Sequence, residues 1–383
     1  MSTTADVVVV GGGVVGCSAA YHLAAAGAGD VLLLERASAV GTGSTGACAG
    51  GFRFQFSSRI NVELSLASVP MIVGFAEAHG LPLDVVQDGY LFLIRDEAAR
   101  DRFAAAAEMQ RSLGVDARVL TTDEAAELVP GISREGVIAA TYCPHDGIAD
   151  PGGLTQGYAT LAARAGATLR TDTEVTGITL DGGRVAGLGT STGDVATRTV
   201  VNAAGPWAGA LASSAGLALP LEPIPRMVAT TGPFSGAPRR RTLLIDAETS
   251  FYLHREGPGV LMGMGGVDER PSLDLRVDER FVAEDLLPTA VRVFPPLAEA
   301  GIARTWAGLY EMTPDRHPII GPSPVDGLWL ANGFSGHGFQ HAPVVGLLLA
   351  EMIVGGGART VDVSSLGLDR FERGDLIPEA HVV

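Results

Sequence analysis

The sequence of 383 residues contains no lysine, because all 27 residues of its Lys+Arg count are arginine. Without a lysine ε-amine the chain cannot form a Schiff base, which excludes pyridoxal-phosphate enzymes and lysine-dependent aldolases. Aspartate and glutamate together number 43, and the formal net charge is −16. A strongly acidic protein lacks the basic face that nucleic acid or an anionic membrane requires, so we expect neither as a partner.

Cysteine is also scarce, with three residues in the whole chain. Three scattered cysteines are too few for a disulfide framework or a metal site, and they suit a reducing cytoplasm. The sequence also lacks a membrane-length apolar run, since the longest one, 344–354, is interrupted by Gly346 and Glu351. No basic and apolar leader precedes the first predicted strand, so we expect a cytoplasmic protein. The length of the chain predicts two domains.

The strongest motif lies at the N-terminus. An apolar stretch predicts a buried strand, and Gly11, Gly13 and Gly16 follow it in a Gly-x-Gly-x-x-Gly turn that opens a helix at Val14. The first glycine permits the tight turn, the second lets a pyrophosphate approach the backbone, and the third lets the helix pack on the strand. A second strand ends at Glu35, where a carboxylate can accept the hydroxyls of an adenosine ribose. The pattern predicts a dinucleotide site.

Three further stretches are rich in small residues. Residues 41–51 carry Ser44 and Thr45, whose hydroxyls can hydrogen-bond phosphate or ring atoms, and the alternative is a flexible linker. Residues 202–205 (Asn-Ala-Ala-Gly) let the backbone pass close to a cofactor, although an ordinary loop between strand and helix is an equal alternative. Residues 333–341 join a predicted strand to a helix, whose N-terminus would face an electron-rich ligand.

The pattern between residues 221 and 306 differs from that of the rest of the chain. Short apolar stretches predict strands over 227–231, 250–255 and 260–264, with one helix over 278–293. We interpret this region as a separate, mostly antiparallel sheet inserted into the dinucleotide-binding fold.

Taken together, these motifs resemble the D-amino-acid-oxidase-like superfamily of FAD-dependent oxidoreductases. The resemblance covers nearly the whole chain, and three stretches look most like the β subunits of proline dehydrogenase and sarcosine oxidase. They are 43–56 (Gly-Ser-Thr-Gly-Ala-Cys-Ala-Gly-Gly-Phe-Arg-Phe-Gln-Phe), 306–318 (Trp-Ala-Gly-Leu-Tyr-Glu-Met-Thr-Pro-Asp-Arg-His-Pro) and 333–339 (Gly-Phe-Ser-Gly-His-Gly-Phe).

The resemblance implies an α/β fold with two domains. A Rossmann-like FAD-binding domain of the glutathione-reductase type would carry an inserted α+β substrate domain built on an antiparallel sheet. The FAD-binding domain is predicted to be discontinuous, over 1–80, 141–220 and 317–383. The substrate-binding domain is predicted over 81–140 and 221–316.

The resemblance also implies how FAD is held. The N-terminal unit would bind the ADP half, residues 41–51 would lie along the pyrophosphate and flavin, and the 333–341 loop would cap the N1/C2-carbonyl edge. We expect FAD without a covalent bond, although Cys48 could form one. The implied cofactor-binding residues are Gly11, Gly13, Val14, Val15, Gly16, Glu35, Arg36, Gly43, Ser44, Thr45, Cys48, Ala49, Gly50, Gly51, Val175, Ala203, Ala204, Gly205, Trp207, Gly308, Gly333, Phe334, Gly336, His337, Gly338, Phe339 and Gln340.

Four residues are implied to act on the substrate: Arg53, Tyr252, His337 and Gln340. Arg53 could bind a carboxylate in a bidentate manner, or pair with backbone around the flavin. Gln340 stands where many relatives have a carboxylate-binding lysine, and its neutral amide would donate a weaker hydrogen bond. Tyr252 or Arg255 would assist in binding the carboxylate. His337 either lines the active site or hydrogen-bonds the backbone at the start of the helix.

The resemblance predicts FAD-dependent oxidation of an amino acid or secondary amine, such as proline or sarcosine, to the imine by hydride transfer to flavin N5. Relatives that use O₂ directly place a lysine near N5, and its absence from strand 259–263 favours a dehydrogenase. One alternative is the oxidation of a 2-hydroxy acid or a specialised-metabolism intermediate. Another is a flavin subunit that relays electrons in a heteromeric complex. The sequence leaves open the exact substrate, the acceptor (O₂ or a partner subunit) and the oligomeric state.

Overall fold

The structure is a computed structural model that describes residues 3–266 and 269–381. Positions 1–2, 267–268 and 382–383 of the predicted domains lie outside these residues. The strands are β1 (Thr3–Thr4), β2 (Val7–Val10), β3 (Val31–Leu34), β4 (Gly51–Phe52), β5 (Val85–Val86), β6 (Tyr90–Ile94), β7 (Arg118–Leu120), β8 (Ala139–Cys143), β9 (Gly147–Ala149), β10 (Thr168–Arg170), β11 (Val175–Asp181), β12 (Arg184–Thr190), β13 (Val195–Ala196), β14 (Thr199–Asn202), β15 (Glu222–Thr231), β16 (Leu243–Asp246), β17 (Tyr252–Glu256), β18 (Gly259–Met264), β19 (Ile302–Met312), β20 (Ile319–Pro322) and β21 (Leu328–Asn332).

Helices of very different length connect these strands. Short 3₁₀-helical turns cover Gly205–Trp207, Pro295–Glu299 and Ser364–Leu366, and a π-helical turn covers Val282–Leu286. The α-helices are α1 (Val14–Ala25), α2 (Ser44–Ala47), α3 (Arg59–Val73), α4 (Phe75–His79), α5 (Glu97–Ser112), α6 (Thr122–Leu128), α7 (Pro151–Arg164), α8 (Ala208–Ser214), α9 (Glu279–Phe281), α10 (Leu287–Val293), α11 (Gly338–Gly355) and α12 (Arg370–Arg373).

A six-stranded sheet forms the centre of the dinucleotide-binding part, in the order β10-β3-β2-β14-β21-β20. Its strands are parallel except β20, which runs antiparallel to β21. Helices α1, α3, α7 and α11 share an apolar core with one face, and strands β11, β12 and β13 pack on the other. Because both faces are covered, β2 and β3 are continuous apolar runs in which every residue is buried.

Helix α11 is, within the described residues, long and apolar enough to cross a membrane by length and composition. The sequence analysis expected no apolar run of membrane length, because Gly346 and Glu351 interrupt 344–354, but the helix that contains both residues is long and apolar enough. Of the helix, 61% is buried in the fold, where it packs against α1 and α3. A Cβ at Gly346 would lie 2.3 Å from Oγ of Ser18 on α1, so the glycine permits this close contact. These are the contacts of a core helix.

An eight-stranded sheet in the order β19-β15-β18-β17-β16-β6-β8-β7 confirms the predicted second sheet. Neighbouring strands are antiparallel except β16 and β6. One face of this sheet shares an apolar core with α6 and α10, and the opposite face lines the cavity described below. Strand β8 runs past residue 140, where the sequence analysis placed a domain boundary, and the domain limits themselves stay a prediction.

One prediction in this region is wrong in detail. Strands β15 and β19 contain ten and eleven residues and are not short, because they pair with each other over almost their whole length. The helix predicted over 278–293 is confirmed, because α9, the π-helical turn and α10 follow one another without a break. Pro288 lies in the first turn of α10 and has no N–H to donate, so a regular helix cannot continue through it unchanged.

Candidate active site

A cavity of about 720 Å³ lies between the two large sheets. Its lining comes from the carboxyl ends of β2, β3, β14 and β21 on one side and from β6, β15, β16, β17 and β19 on the other. In an open parallel sheet this edge is where ligands bind. Every residue that the sequence analysis placed in the site lines this cavity except Gly16, Arg255 and Gly333.

The glycine turn after β2 is closely packed. Gly11 adopts a φ of +109°, and a Cβ there would lie 2.3 Å from the carbonyl oxygen of Ala203. A Cβ at Gly16 would lie 1.8 Å from the carbonyl oxygen of Gly11. The first and third glycines therefore act as the sequence analysis predicts, through the tight turn and through helix packing. Helix α1 begins directly behind this turn and directs its free N–H groups at the cavity wall.

Glu35 lies at the end of β3, beside this turn. Its Oε2 accepts a hydrogen bond of 2.7 Å from Gly12 N, and its Oε1 accepts one of 2.8 Å from Ala37 N. The carboxylate is therefore fixed while its remaining lone pairs are available to the cavity. The guanidinium carbon of Arg36 lies 3.6 Å from the ring centroid of Trp207, and both residues line the same end of the cavity.

The small-residue stretch 41–51 is an ordered wall of the cavity and not a flexible linker. Residues 44–47 form α2, and Ser44 Oγ donates to the carbonyl oxygen of Leu309 at 2.7 Å. Thr45 Oγ1 accepts from Val14 N, the first residue of α1, at 3.2 Å. Cys48 lines the cavity, and burial raises the pKa of its thiol to about 11, which disfavours the thiolate.

The loop after β21 turns sharply into α11. Ser335 and Gly336 adopt φ values of 49° and 92°, and α11 begins at Gly338 with His337 as its N-cap. A Cβ at Gly336 would lie 2.5 Å from the ring of Tyr310, so this loop and β19 are in close contact. The N-terminus of α11 consequently forms part of the cavity wall, where it favours negative charge.

Strand register fixes the wall that the eight-stranded sheet contributes. Tyr252 pairs with Ile245, and Arg226 pairs with Gly308, so these side chains share the face that lines the cavity. The guanidinium carbon of Arg226 lies 4.9 Å from the ring centroid of Tyr310. Burial raises the pKa of both tyrosines, so they remain neutral hydroxyl groups.

The sequence analysis missed Arg226, although it is the charged residue inside the otherwise uncharged stretch 223–231, and that isolation was an available signal. Its guanidinium forms an ion pair with Glu269. This wall of the cavity therefore contains a cation whose charge is already balanced by the protein.

Arg53 occupies a different position, against α11. It is 3% exposed, and its guanidinium donates to the carbonyl oxygens of Gln55 and His381. Its Nη2 also donates to His337 Nε2 at 3.1 Å, and its guanidinium carbon lies 4.1 Å from the ring centroid of Phe56. The reading in which Arg53 pairs with backbone is observed, and the carboxylate-binding reading stays a prediction for a residue that lines the cavity.

His337 is a neutral partner of Arg53. Burial and the charge of Arg53 bring the pKa of His337 well below its usual value. Because arginine can only donate, His337 Nε2 accepts and Nδ1 carries the proton. This Nδ1 is buried and has no hydrogen-bond partner among the described residues.

Two predicted carboxylate ligands are corrected by the structure. Gln340 Oε1 accepts from Arg53 N at 2.9 Å, and its Nε2 contacts Ser65 Oγ at 3.4 Å and His341 Nε2 at 3.1 Å. With both amide hydrogens engaged, Gln340 holds the wall in place and has no N–H for a substrate carboxylate. Arg255 lies outside the cavity lining, because its guanidinium binds the carbonyl oxygens of a neighbouring turn, at residues 238, 239 and 257.

The fold and this cavity define a dinucleotide-dependent oxidoreductase. The family model described as FAD dependent oxidoreductase (DAO) matches residues 6–352, and the chain belongs to this family. FAD is the cofactor of the family, and the cavity fits it. One continuous space joins the glycine turn, Glu35, the 41–51 wall and the N-terminus of α11.

Several proteins are similar to the chain over most of its length. L-proline dehydrogenase from P. horikoshii has a TM-score of 0.91 and 35% identity, covering 98% of this chain and 100% of that one. Glycine oxidase from Geobacillus kaustophilus has a TM-score of 0.86 and 28% identity, covering 96% and 99%. Mitochondrial sarcosine dehydrogenase from Homo sapiens is 32% identical over 93% of this chain, which spans 40% of that protein. FAD-dependent oxidoreductase domain-containing protein 1 from Xenopus laevis is 32% identical, with 99% and 85% coverage.

Proposed function

We propose that the protein oxidises an amino acid or a secondary amino acid to the imine, with FAD as hydride acceptor. One observation carries the proposal: Arg53 is a buried cation of the cavity that forms no salt bridge with a carboxylate of the described residues. Arg226 and Arg370, in contrast, pair with Glu269 and Asp315. A buried charge is strongly disfavoured without a partner, so the space beside Arg53 favours an anionic group.

The carboxylate of an amino acid supplies this anion. Arg53 binds it as a charge-assisted donor, and the neutral ring of His337 lies beside this guanidinium in the cavity wall. The aromatic rings of Tyr252 and Tyr310 close the opposite wall, exclude water and leave neutral hydroxyls to orient the amine. Bound FAD would accept the hydride from the carbon next to the nitrogen. The protein then mainly holds the substrate in place, because an unprotonated amine needs no side-chain base.

The names of the relatives support a small secondary or primary amino acid as substrate, since they include sarcosine dehydrogenase, L-proline dehydrogenase and glycine oxidase. We propose a dehydrogenase, because the chain contains no lysine to place near the flavin. We also propose non-covalent FAD and a cytoplasmic location. The raised pKa of the Cys48 thiol, which keeps it protonated, supports the first of these.

The test is anaerobic bleaching of the flavin absorbance by proline, sarcosine, glycine, D-amino acids and 2-hydroxy acids. Bleaching by an amino acid is expected, whereas bleaching by 2-hydroxy acids alone, or by no compound, would overturn the proposal. Arg53→Met should raise KM for the amino acid by about a hundredfold, as for truncation of one member of a buried charge pair.

Three measurements separate this effect from damage to the fold. Arg255→Met removes a guanidinium outside the cavity and should behave as the wild type. Pyrrolidine, which lacks the carboxylate, should be oxidised equally slowly by both variants and by the wild type. The flavin content per protein is measured for each variant, and a loss of flavin in Arg53→Met alone would assign the residue to cofactor binding.

A further inference from the structure

The orientation of Arg53 depends on a segment far away in the sequence, residues 376–381. The carbonyl oxygen of His381 in this segment accepts a hydrogen bond from Arg53 Nη2. The ring of His381 stacks on Phe103, with centroids 3.8 Å apart and an interplanar angle of 10°. Without the segment, Arg53 would keep Gln55 O as its backbone acceptor and would lose the second one.

Glu379 attaches this segment to the start of α3. Its Oε1 accepts from Ser57 N at 2.9 Å, from Ser57 Oγ at 2.5 Å and from His381 N at 2.9 Å. Its Oε2 accepts from Ser58 N at 3.2 Å, from Ser58 Oγ at 2.9 Å and from Asn61 Nδ2 at 3.1 Å. A carboxylate that is 3% exposed is thus surrounded by donors, which is how a buried anion is stabilised.

The same carboxylate acts on Arg53 electrostatically. Burial lowers the pKa of Arg53, and the negative charge of Glu379 is the largest opposing influence. Burial likewise opposes ionisation of Glu379, but the hydrogen bond from Ser57 and the nearby positive charges bring its pKa well below the usual value. Glu379 therefore places a negative charge near Arg53, but it takes none of the N–H groups of the guanidinium, since the two residues form no salt bridge.

We propose that Glu379 is a positioning residue for substrate binding, which holds residues 376–381 so that the His381 carbonyl fixes the Arg53 guanidinium beside His337 of the cavity wall. The inference rests on the proposed function, in which Arg53 binds the substrate carboxylate. Glu379 is 326 residues from Arg53 in the sequence and does not line the cavity. Its influence on the substrate passes through Arg53.

The experiment measures binding of carboxylates by the holoenzyme without turnover. The probes are methoxyacetate and tetrahydro-2-furoate, in which an ether oxygen replaces the nitrogen of sarcosine and proline. Binding is followed by the change in the flavin absorbance spectrum. Glu379→Gln should raise Kd by about tenfold or more, because a charged hydrogen-bond network is broken, and should raise KM for the amino acid in parallel. Oxidation of pyrrolidine and the flavin content should stay unchanged.

A double-mutant cycle distinguishes positioning from general destabilisation. If Glu379 acts through Arg53, Glu379→Gln has no further effect on Kd in the Arg53→Met background. Glu372→Ala, an exposed glutamate on α12, is the matched control and should leave Kd unchanged. Should Glu379→Gln prove insoluble, Asn61→Ala removes one donor of the same network and is expected to raise Kd in the same direction.

The outcomes separate the two proposals. An unchanged Kd in Glu379→Gln, in a protein whose wild type is bleached by an amino acid, would overturn the positioning role alone. Equal losses with pyrrolidine and with the amino acid would also overturn it, since they would show a structural role. Failure of every amino acid to bleach the wild type would overturn the proposed function.

Discussion

The glycine turn offers a direct test of how the cofactor end of the cavity is built. In Gly16→Ala the added Cβ would lie 1.8 Å from the carbonyl oxygen of Gly11 and 3.0 Å from its carbonyl carbon. Ordinary contact begins near 3.4 Å, so α1 and the turn at 11–13 must move apart. Overpacking of this kind costs about 1–3 kcal/mol. If the apo-protein relaxes by moving the turn, FAD must restore it, which weakens binding roughly 5- to 150-fold.

The assay is titration of apo-protein with FAD, followed by quenching of protein fluorescence, together with the midpoint of thermal unfolding. Gly209→Ala is the matched control, because Gly209 is also helical and an added Cβ would meet nothing within 4 Å. That control should be neutral or stabilising by about 0.5–1 kcal/mol. Identical FAD affinity in the Gly16 and Gly209 variants would show that close packing behind the turn does not shape the phosphate site.

Three further predictions concern buried charge. Arg370→Met leaves the fully buried Asp315 carboxylate unpaired and should lower the free energy of unfolding in urea by about 3–5 kcal/mol, whereas a loss below about 1 kcal/mol would contradict the pairing. Burial lowers the pKa of His341 to about 3. The contribution of the neutral ring to the free energy of unfolding is therefore complete above pH ~6.5. It is lost as pH falls towards about 3, at up to about 1.4 kcal/mol per pH unit. His341→Gln should flatten this decline of unfolding free energy between pH 7 and 5, and an unchanged slope would refute it. Glu269→Gln removes the counter-charge of Arg226 and should tighten binding of diglycolate, a dicarboxylate ether, relative to methoxyacetate by about tenfold in flavin difference spectra, while equal affinities would argue against a free guanidinium.

Local sequence was sufficient for the dinucleotide site. Gly16 is required by a backbone contact with Gly11, Gly11 itself has the positive φ of the tight turn, and Glu35 is held by Gly12 and Ala37, its neighbours in that same unit. Such contacts follow from a strand, a turn and a helix that are consecutive in the chain. A sequence pattern can therefore predict them before any long-range packing is known.

The substrate side could be predicted only in part, because its geometry comes from pairing between distant strands. Arg226 and Gly308 are opposite each other only because β15 pairs with β19, and nothing near either residue encodes that register. Arg226 was missed for this reason, whereas Gln340 was predicted to have a role that it does not have. Its position beside the cavity was correct, but its amide is engaged by Ser65 and His341, which α3 and α11 bring together.

The sequence by itself determined the dinucleotide-binding turn and the presence of a second sheet. It also determined which chemistry the absence of lysine excludes. Tertiary structure alone decided which of these buried arginines forms no salt bridge among the described residues. Arg226 and Arg370 are balanced by Glu269 and Asp315, whereas Arg53 is held by backbone carbonyls. The physical reason is that the energy of a buried charge depends on the groups around it in space, and residues separated by hundreds of positions supply those groups.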